Sequence, residues 1–312
     1  SQDQNQRVNL AGDDFQFGIS RVLSAYSDVY LAEINFIDGT ALQPTNFGET
    51  QDGIWVAKSY SGSYGTNGFY LTFEGTGVST TSEGTTAQTN IGDDQSGNGH
   101  NFSIHSSSVL AYDVVPDSPT NNWCVLNRVK TNESLSIDQT FAEGNLDFTS
   151  SEPSSNPAVT STFAVTSGKW YWEVYIRNVG NTANSVGIAS NPNDLERDSS
   201  ALYSKTTAYS YQASGSKRNN ADVSYGDSWT TGDIVSVALD LDAGAVYFYK
   251  NGTIQNSGTA AFTGLSGEFT SYSLVYTTNG GRQVYNFGQD DSFAGNKTSG
   301  TAGASDSNGL GT

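Results

Sequence analysis

Methionine is absent from the 312 residues, cysteine occurs once and histidine twice. A single cysteine, Cys124, excludes an intrachain disulfide. It sits in the apolar run Trp123-Cys124-Val125-Leu126 and reads as a small buried hydrophobe rather than a nucleophile. The two histidines, His100 and His105, each stand next to an Asn or Ser, with no Gly-x-Ser-x-Gly elbow near them, so no Ser/His/Asp triad is signalled. Basic residues are also scarce, 14 against 32 acidic, which gives a formal charge of −18. Such a chain repels polyanions, and nucleic acid is an unsuitable partner. No stretch is apolar enough to span a membrane as a helix, and membrane insertion is not expected. The acidity suits an extracellular or particle-surface protein kept soluble by charge, with divalent-cation binding as the sharper alternative.

What remains is Gly, Ser, Thr and Asn around short aromatic and β-branched runs, with 34 Gly, 17 Tyr and 15 Phe. That pattern describes an all-β chain, and the length suggests about two domains. No segment keeps a helical period beyond a turn or two. In the first half, Phe15–Ile19 and Val29–Ile37 are strand candidates. The second alternates, with Tyr30, Ala32, Ile34 and Phe36 on one face, and Asp38-Gly39 then turns the chain. Tyr60 and Tyr64 punctuate a Gly/Ser loop before the strand candidate Phe69–Phe73, and residues 76–89 form a Thr/Ser/Gly-rich loop. The prolines of Pro116-Asp117-Ser118-Pro119-Thr120-Asn121-Asn122 mark a linker. The expected organisation is a β-rich region over 1–115, a linker over 116–122, a sandwich over 123–295 and a flexible tail over 296–312. The polar start and the Gly/Ser/Thr-rich end read as those of a piece of a longer or processed polypeptide.

The second half is more regular. Lys169–Ile176 alternates, placing Trp170, Trp172, Val174 and Ile176 on one face and therefore in the core, with Glu173 facing outward. Ser185–Ala189, Ile234–Leu241 and Ala245–Tyr249 are further strands, the last closed by the hairpin pair Asn251-Gly252. Ser271–Tyr276 and Arg282–Phe287 read as a final hairpin across Asn279-Gly280-Gly281.

This half resembles the SPRY (B30.2-like) family. The resemblance is carried by Gly168-Lys169-Trp170-Tyr171-Trp172-Glu173-Val174, Ser185-Val186-Gly187-Ile188-Ala189 and the run Tyr225 to Val235. The most specific block is Asp240 to Gly252, and Asn286-Phe287-Gly288-Gln289 closes the series. It implies a bent antiparallel, jelly-roll-like β-sandwich of SPRY/concanavalin type, a binding role, and no catalytic residues. Tyr30 to Gly39 resembles the last strand of a laminin-G/concanavalin-like sandwich. Together with Asn46-Phe47-Gly48-Glu49, Gly65 to Leu71 and Asp117 to Asn122, it is similar to segments of structural proteins of tailed, particularly marine, bacteriophages.

Candidate chemistry is sparse. A glycoside hydrolase needs two carboxyl groups about 5–10 Å apart. Asp240 and Asp242 share a strand face, but the turn at Gly244 follows at once. Asp93, Asp94 and Asn98 cluster oxygen ligands of the kind calcium takes, the one cofactor to consider; the alternative is an Asp/Asn turn bonding its own backbone. Tyr203, Tyr209 and Tyr211, with Arg218 and Asn219, are the candidate ligand contacts, because exposed Tyr beside Asn and Arg stacks on sugars and bonds their hydroxyls. The alternative is that these tyrosines cap the sandwich end. The expected protein is thus a non-enzymatic phage virion component, a fibre, tail or capsid-decoration protein. It would be exposed on the virion surface or extracellular, bind a host surface glycan or protein, and contact other virion proteins or its own copies. A purely structural self-assembling particle protein and a polysaccharide depolymerase are the alternatives.

Overall fold

The computed structural model describes residues 31–51, 53–74, 90–102, 114, 116–118, 120–131, 139–150, 157–190, 206–275 and 280–298. Among them there is no α-helix, and every strand pairing is antiparallel. The chain divides into two units, one running to Val114 with Ser118–Asn121, the other made of Val115–Asp117 and Asn122–Thr312. The strand candidate Phe15–Ile19 and the loop at 76–89 lie outside the described residues.

In the first unit β1 (Ile34–Phe36) pairs with β4 (Phe69–Leu71), while β2 (Gly48–Gln51) and β3 (Ile54–Ala57) form a hairpin. The run Val29–Ile37 thus yields only three strand residues among those described. The Asp38-Gly39 turn forms, with Gly39 at φ 77° and the Asp38 carboxylate accepting from the Asn67 backbone and side-chain amides at 3.0 and 2.9 Å. Rings substitute for aliphatic packing. Phe36 stacks on Phe69 at 5.1 Å and Phe69 meets Phe102 edge-on at 4.9 Å. Tyr64 stacks on Tyr70 at 5.8 Å and donates to Asn35 Oδ1, and burial followed by the neighbouring Tyr70 pushes its phenol up to about 12.

The second unit contains β5 (Leu126–Thr131), β6 (Gln139–Ala142), β7 (Asp147–Ser150), β8 (Ala158–Val165), β9 (Lys169–Asn178) and β10 (Ser185–Ala189). There follow β11 (Ala208–Gln212), β12 (Ser216–Asn219), β13 (Ala221–Ser224), β14 (Ile234–Asp240), β15 (Ala245–Lys250), β16 (Thr253–Ile254), β17 (Phe262–Thr263), β18 (Phe269–Leu274) and β19 (Gly281–Asn286). They form a β-sandwich. One sheet has the order β13-β12-β11-β10-β18-β8-β5; the other runs β16-β15-β14-β9-β19-β7-β6, with β17 also on β15. Val186, Ile188, Tyr211 and Phe269 of the first sheet meet Trp172, Val174, Ile176, Val237, Phe248 and Tyr285 of the second in one core.

Two expectations fail here. The segments around Ser271–Tyr276 and Arg282–Phe287 are not a hairpin. β18 pairs with β10 and β8 in one sheet, and β19 with β9 and β7 in the other, so the connection passes between layers. Trp170 is not core. Trp172 beneath it is buried, but Trp170, at the start of β9, is 44% exposed and donates its indole N–H to the Ser167 carbonyl at 2.7 Å. The Asn251-Gly252 turn does form, with φ of 48° and 77°, both left-handed. Asn251 Oδ1 accepts from the Ile234 amide at 2.8 Å and its Nδ2 donates to Asp233 at 2.7 Å, tying the turn to the start of β14. The block Asn286 to Gln289 is a clamp: Asn286 Oδ1 accepts from the amides of Gly288 and Asp290, and Gln289 donates to the Cys124 carbonyl at 2.7 Å.

Candidate binding site

The residues singled out between Leu202 and Asn220 are mostly strand, not loop. Tyr203 lies outside the described residues. Tyr211 is 0% exposed; its ring packs on Tyr225, Trp229 and Phe248, and its hydroxyl donates to the Asp227 carbonyl. Burial pushes that phenol above its ordinary range. Tyr211 therefore belongs to the core and offers no ligand contact. Tyr209 is half-buried, edge-on to Phe262 at 5.2 Å and Phe269 at 6.0 Å. Arg218 pairs with Asp222 at 2.6 Å across the β12–β13 turn. The Asn219 amide donates to the Thr206 and Ala208 carbonyls, at 2.8 and 2.9 Å. Lys217, the other cation of this spot, donates to the Ala261 carbonyl at 2.6 Å. The group thus stitches β12 to its neighbours.

At the acidic turn, Asp94 receives the backbone amides of Tyr70 (2.8 Å), Ser96 (2.9 Å) and His100 (2.9 Å), and the Ser96 hydroxyl (2.8 Å). Burial opposes its charge, but these donors win and hold its carboxyl below the usual range. Asp93 accepts from the Asn90 amide at 3.0 Å, and Asn98 donates to the Gly65 and Gly68 carbonyls. Among the described residues no three His, Cys, Asp or Glu side chains are placed to hold a metal ion. The oxygens of Asp94 are used by the chain's own backbone, as in the Asx-turn alternative.

The paired carboxylates are also committed. Asp240 accepts from the Ala243 amide at 2.9 Å and pairs with Lys169 at 3.1 Å, and these lower its pKa. Asp242 accepts from the Gly168 amide at 2.9 Å. A general acid needs the opposite shift. Cys124 is half-buried, and desolvation raises its thiol pKa, contrary to an activated thiolate.

An open site lies on the outer face of the second sheet. Along β9 the residues alternating with Trp172 and Val174 are Tyr171, Glu173 and Tyr175. The strand pattern alone makes that face legible and marks Glu173 as an outward polar residue, without pointing to a site there. Here the C-terminal turn folds back over the sheet. Phe293 packs on Tyr175 at 5.9 Å, and Lys297 lies over the same ring at 4.7 Å while donating to the Gly232 carbonyl at 2.9 Å. Beside this cover a cleft of about 490 Å³ remains, lined by Tyr171, Trp172, Glu173, Ile234, Asn286, Phe287, Gly288, Asp291, Phe293, Lys297 and Thr298. Tyr171 is 54% exposed and donates its hydroxyl to Glu173 Oε1 at 2.7 Å. Burial of its phenol and then the Glu173 carboxylate keep the proton on. A second groove, about 500 Å³, runs along residues 162–167 to Trp170 and includes the exposed Phe163.

The family match fits this architecture. The SPRY domain family matches residues 169–290, so the chain carries a SPRY domain. The sandwich is longer than the match, because β5 and β8 complete one sheet and β6 and β7 the other. The E3 ubiquitin-protein ligase RKP of Arabidopsis thaliana is 32% identical over 125 residues, which are 39% of this chain. The chain spans only 9% of that relative's length. The crystal structure of the SPRY domain of human HERC1 is similar at 23% identity and a TM-score of 0.42, covering 51% of this chain and 96% of that one.

Proposed function

We propose that the chain is a non-enzymatic binding protein of a phage particle surface. Its SPRY sandwich would engage a host surface protein or glycan, and the chain would contact other particle proteins or its own copies. The observation that carries the binding reading is the contrast between closed and open chemistry. The carboxylates Asp94, Asp240 and Asp242 are spent on turns and an ion pair. The Tyr171–Glu173 face, by contrast, stays accessible beside a cleft. The particle setting rests on the first-half segments similar to phage structural proteins and on the −18 charge. A ligase relay through a thioester needs a reactive thiolate. Cys124, the sole cysteine of these 312 residues, is shifted the other way.

The test is retention of the purified chain on intact host cells, alongside a glycan array and light scattering. Saturable cell binding is expected. Binding to neither cells nor glycans, with self-association instead, would favour the purely structural particle reading. Release of reducing ends from host polysaccharide, abolished by Asp240→Asn or Asp242→Asn, would overturn the non-enzymatic reading.

A further inference from the structure

The cleft beside Tyr171 has a defined chemistry. Glu173 Oε1 accepts from the Tyr171 hydroxyl at 2.7 Å, which fixes the carboxylate and the ring together. Its Oε2 takes no hydrogen bond among the described residues. Tyr249 and Tyr171 meet in a T-shaped arrangement at 6.4 Å and 82°. Ile234 and Phe293 supply apolar wall. Lys297, the one cation among the lining residues, is held by the Gly232 carbonyl and the Tyr175 ring and makes no ion pair with Glu173. The site therefore presents an oriented carboxylate on a half-buried residue next to an exposed aromatic ring, on a chain of charge −18.

We propose that this cleft receives an arginine side chain from a basic segment of a partner protein. A guanidinium is planar: it stacks on the Tyr171 face and donates in its own plane to Glu173 Oε2. The long-range field of the acidic chain steers a basic partner toward it. A neutral sugar fits less well, since hydroxyls need donors and acceptors in pairs. Asn286 Oδ1 is already used by the amides of Gly288 (2.7 Å) and Asp290 (3.2 Å). This inference rests on the reading of the chain as a binding protein and names the chemistry of its partner.

The full chain is panned against a displayed random peptide library, and the recovered peptides are synthesised with arginine or with citrulline. Enrichment of arginine is expected, with binding weakened about tenfold or more by citrulline and by Glu173→Gln, and progressively by salt. Glu173→Gln keeps an acceptor for the Tyr171 hydroxyl, and its melting curve must match that of the parent chain. Tyr171→Ala should weaken binding of the same peptides. Recovery of uncharged or acidic peptides, recovery of none, or equal binding by Glu173→Gln would each overturn the proposal. So would binding of a neutral glycan lost in Tyr171→Ala but not in Glu173→Gln. Host-cell binding separates the two readings. If Glu173→Gln binds cells as well as the parent, the cleft assignment fails and the binding function stands; if the parent fails to bind cells, the function itself falls.

Discussion

At the scale of single residues, most of the polar candidate residues are structural, and the clearest structural case lies outside them. Asp147 is 1% exposed in β7, and Arg282 Nε reaches its two carboxylate oxygens at 2.8 and 2.9 Å, with Arg177 at 3.5 Å. Removing the carboxylate leaves two guanidinium groups facing each other across its space. A fully buried pair broken this way costs about 3–5 kcal/mol. Both arginines are about a third exposed and stay partly hydrated. Asp147→Ala should therefore destabilise the sandwich by about 2 kcal/mol. The urea midpoint should fall while the slope stays constant; an unchanged midpoint would show the cluster to be idle. Nothing in sequence marks Asp147, because its partners lie 30 and 135 positions away. Tyr211 failed as a ligand contact for a related reason: a Tyr in a polar run looks exposed until its strand is placed in a sheet.

At the scale of elements, alternation was informative about faces and silent about extent. It put Trp172, Val174 and Ile176 inward correctly, yet Trp170, on the same face, lies at the strand's start, where the core no longer covers it. Alternation also could not say which layer a strand joins, so β18 and β19 looked like a hairpin. The Asn251-Gly252 turn was legible because left-handed backbone at two successive positions demands those residues. Gly187 in β10 shows a constraint of another kind. Its side chain position points at the neighbouring strand, where a Cβ would stand 2.0 Å from the Tyr209 carbonyl oxygen. That oxygen is main chain in a paired strand and cannot move aside without opening the β10–β11 ladder. Gly187→Ala should cost about 3 kcal/mol, at the upper end for overpacking, and near-ultraviolet dichroism should melt earlier. A variant melting with the parent would show that β11 shifts freely.

At the scale of the whole molecule, two electrostatic effects of opposite sign set the response to acid. The charge of −18 at neutral pH repels itself and weakens the compact state, and this repulsion vanishes near the pI of 4.2. Working against it are carboxylates whose folded-state pKa is depressed, Asp94 in the first unit and Asp233 in the second. For each, burial opposes the charge, but hydrogen bonds outweigh it: at Asp94 from backbone amides, at Asp233 from Asn251, the Thr230 amide and Lys250. A depressed carboxylate contributes stability that is fully present above its unfolded pKa of about 3.9 and is lost as pH falls through the lower folded value. From pH 7 downward, the first change is therefore relief of repulsion, and loss of the Asp94 and Asp233 contributions comes only below about pH 4. The melting temperature should rise on going from neutral pH toward pH 5 and drop steeply below 4. Added salt at pH 7 should reproduce the rise by screening. Because a near-neutral net charge favours association, the melts belong at low protein concentration. A melting temperature that falls steadily from pH 7, with no gain from salt, would mean that surface repulsion contributes little and that the acidic side chains are held mainly by their local bonds.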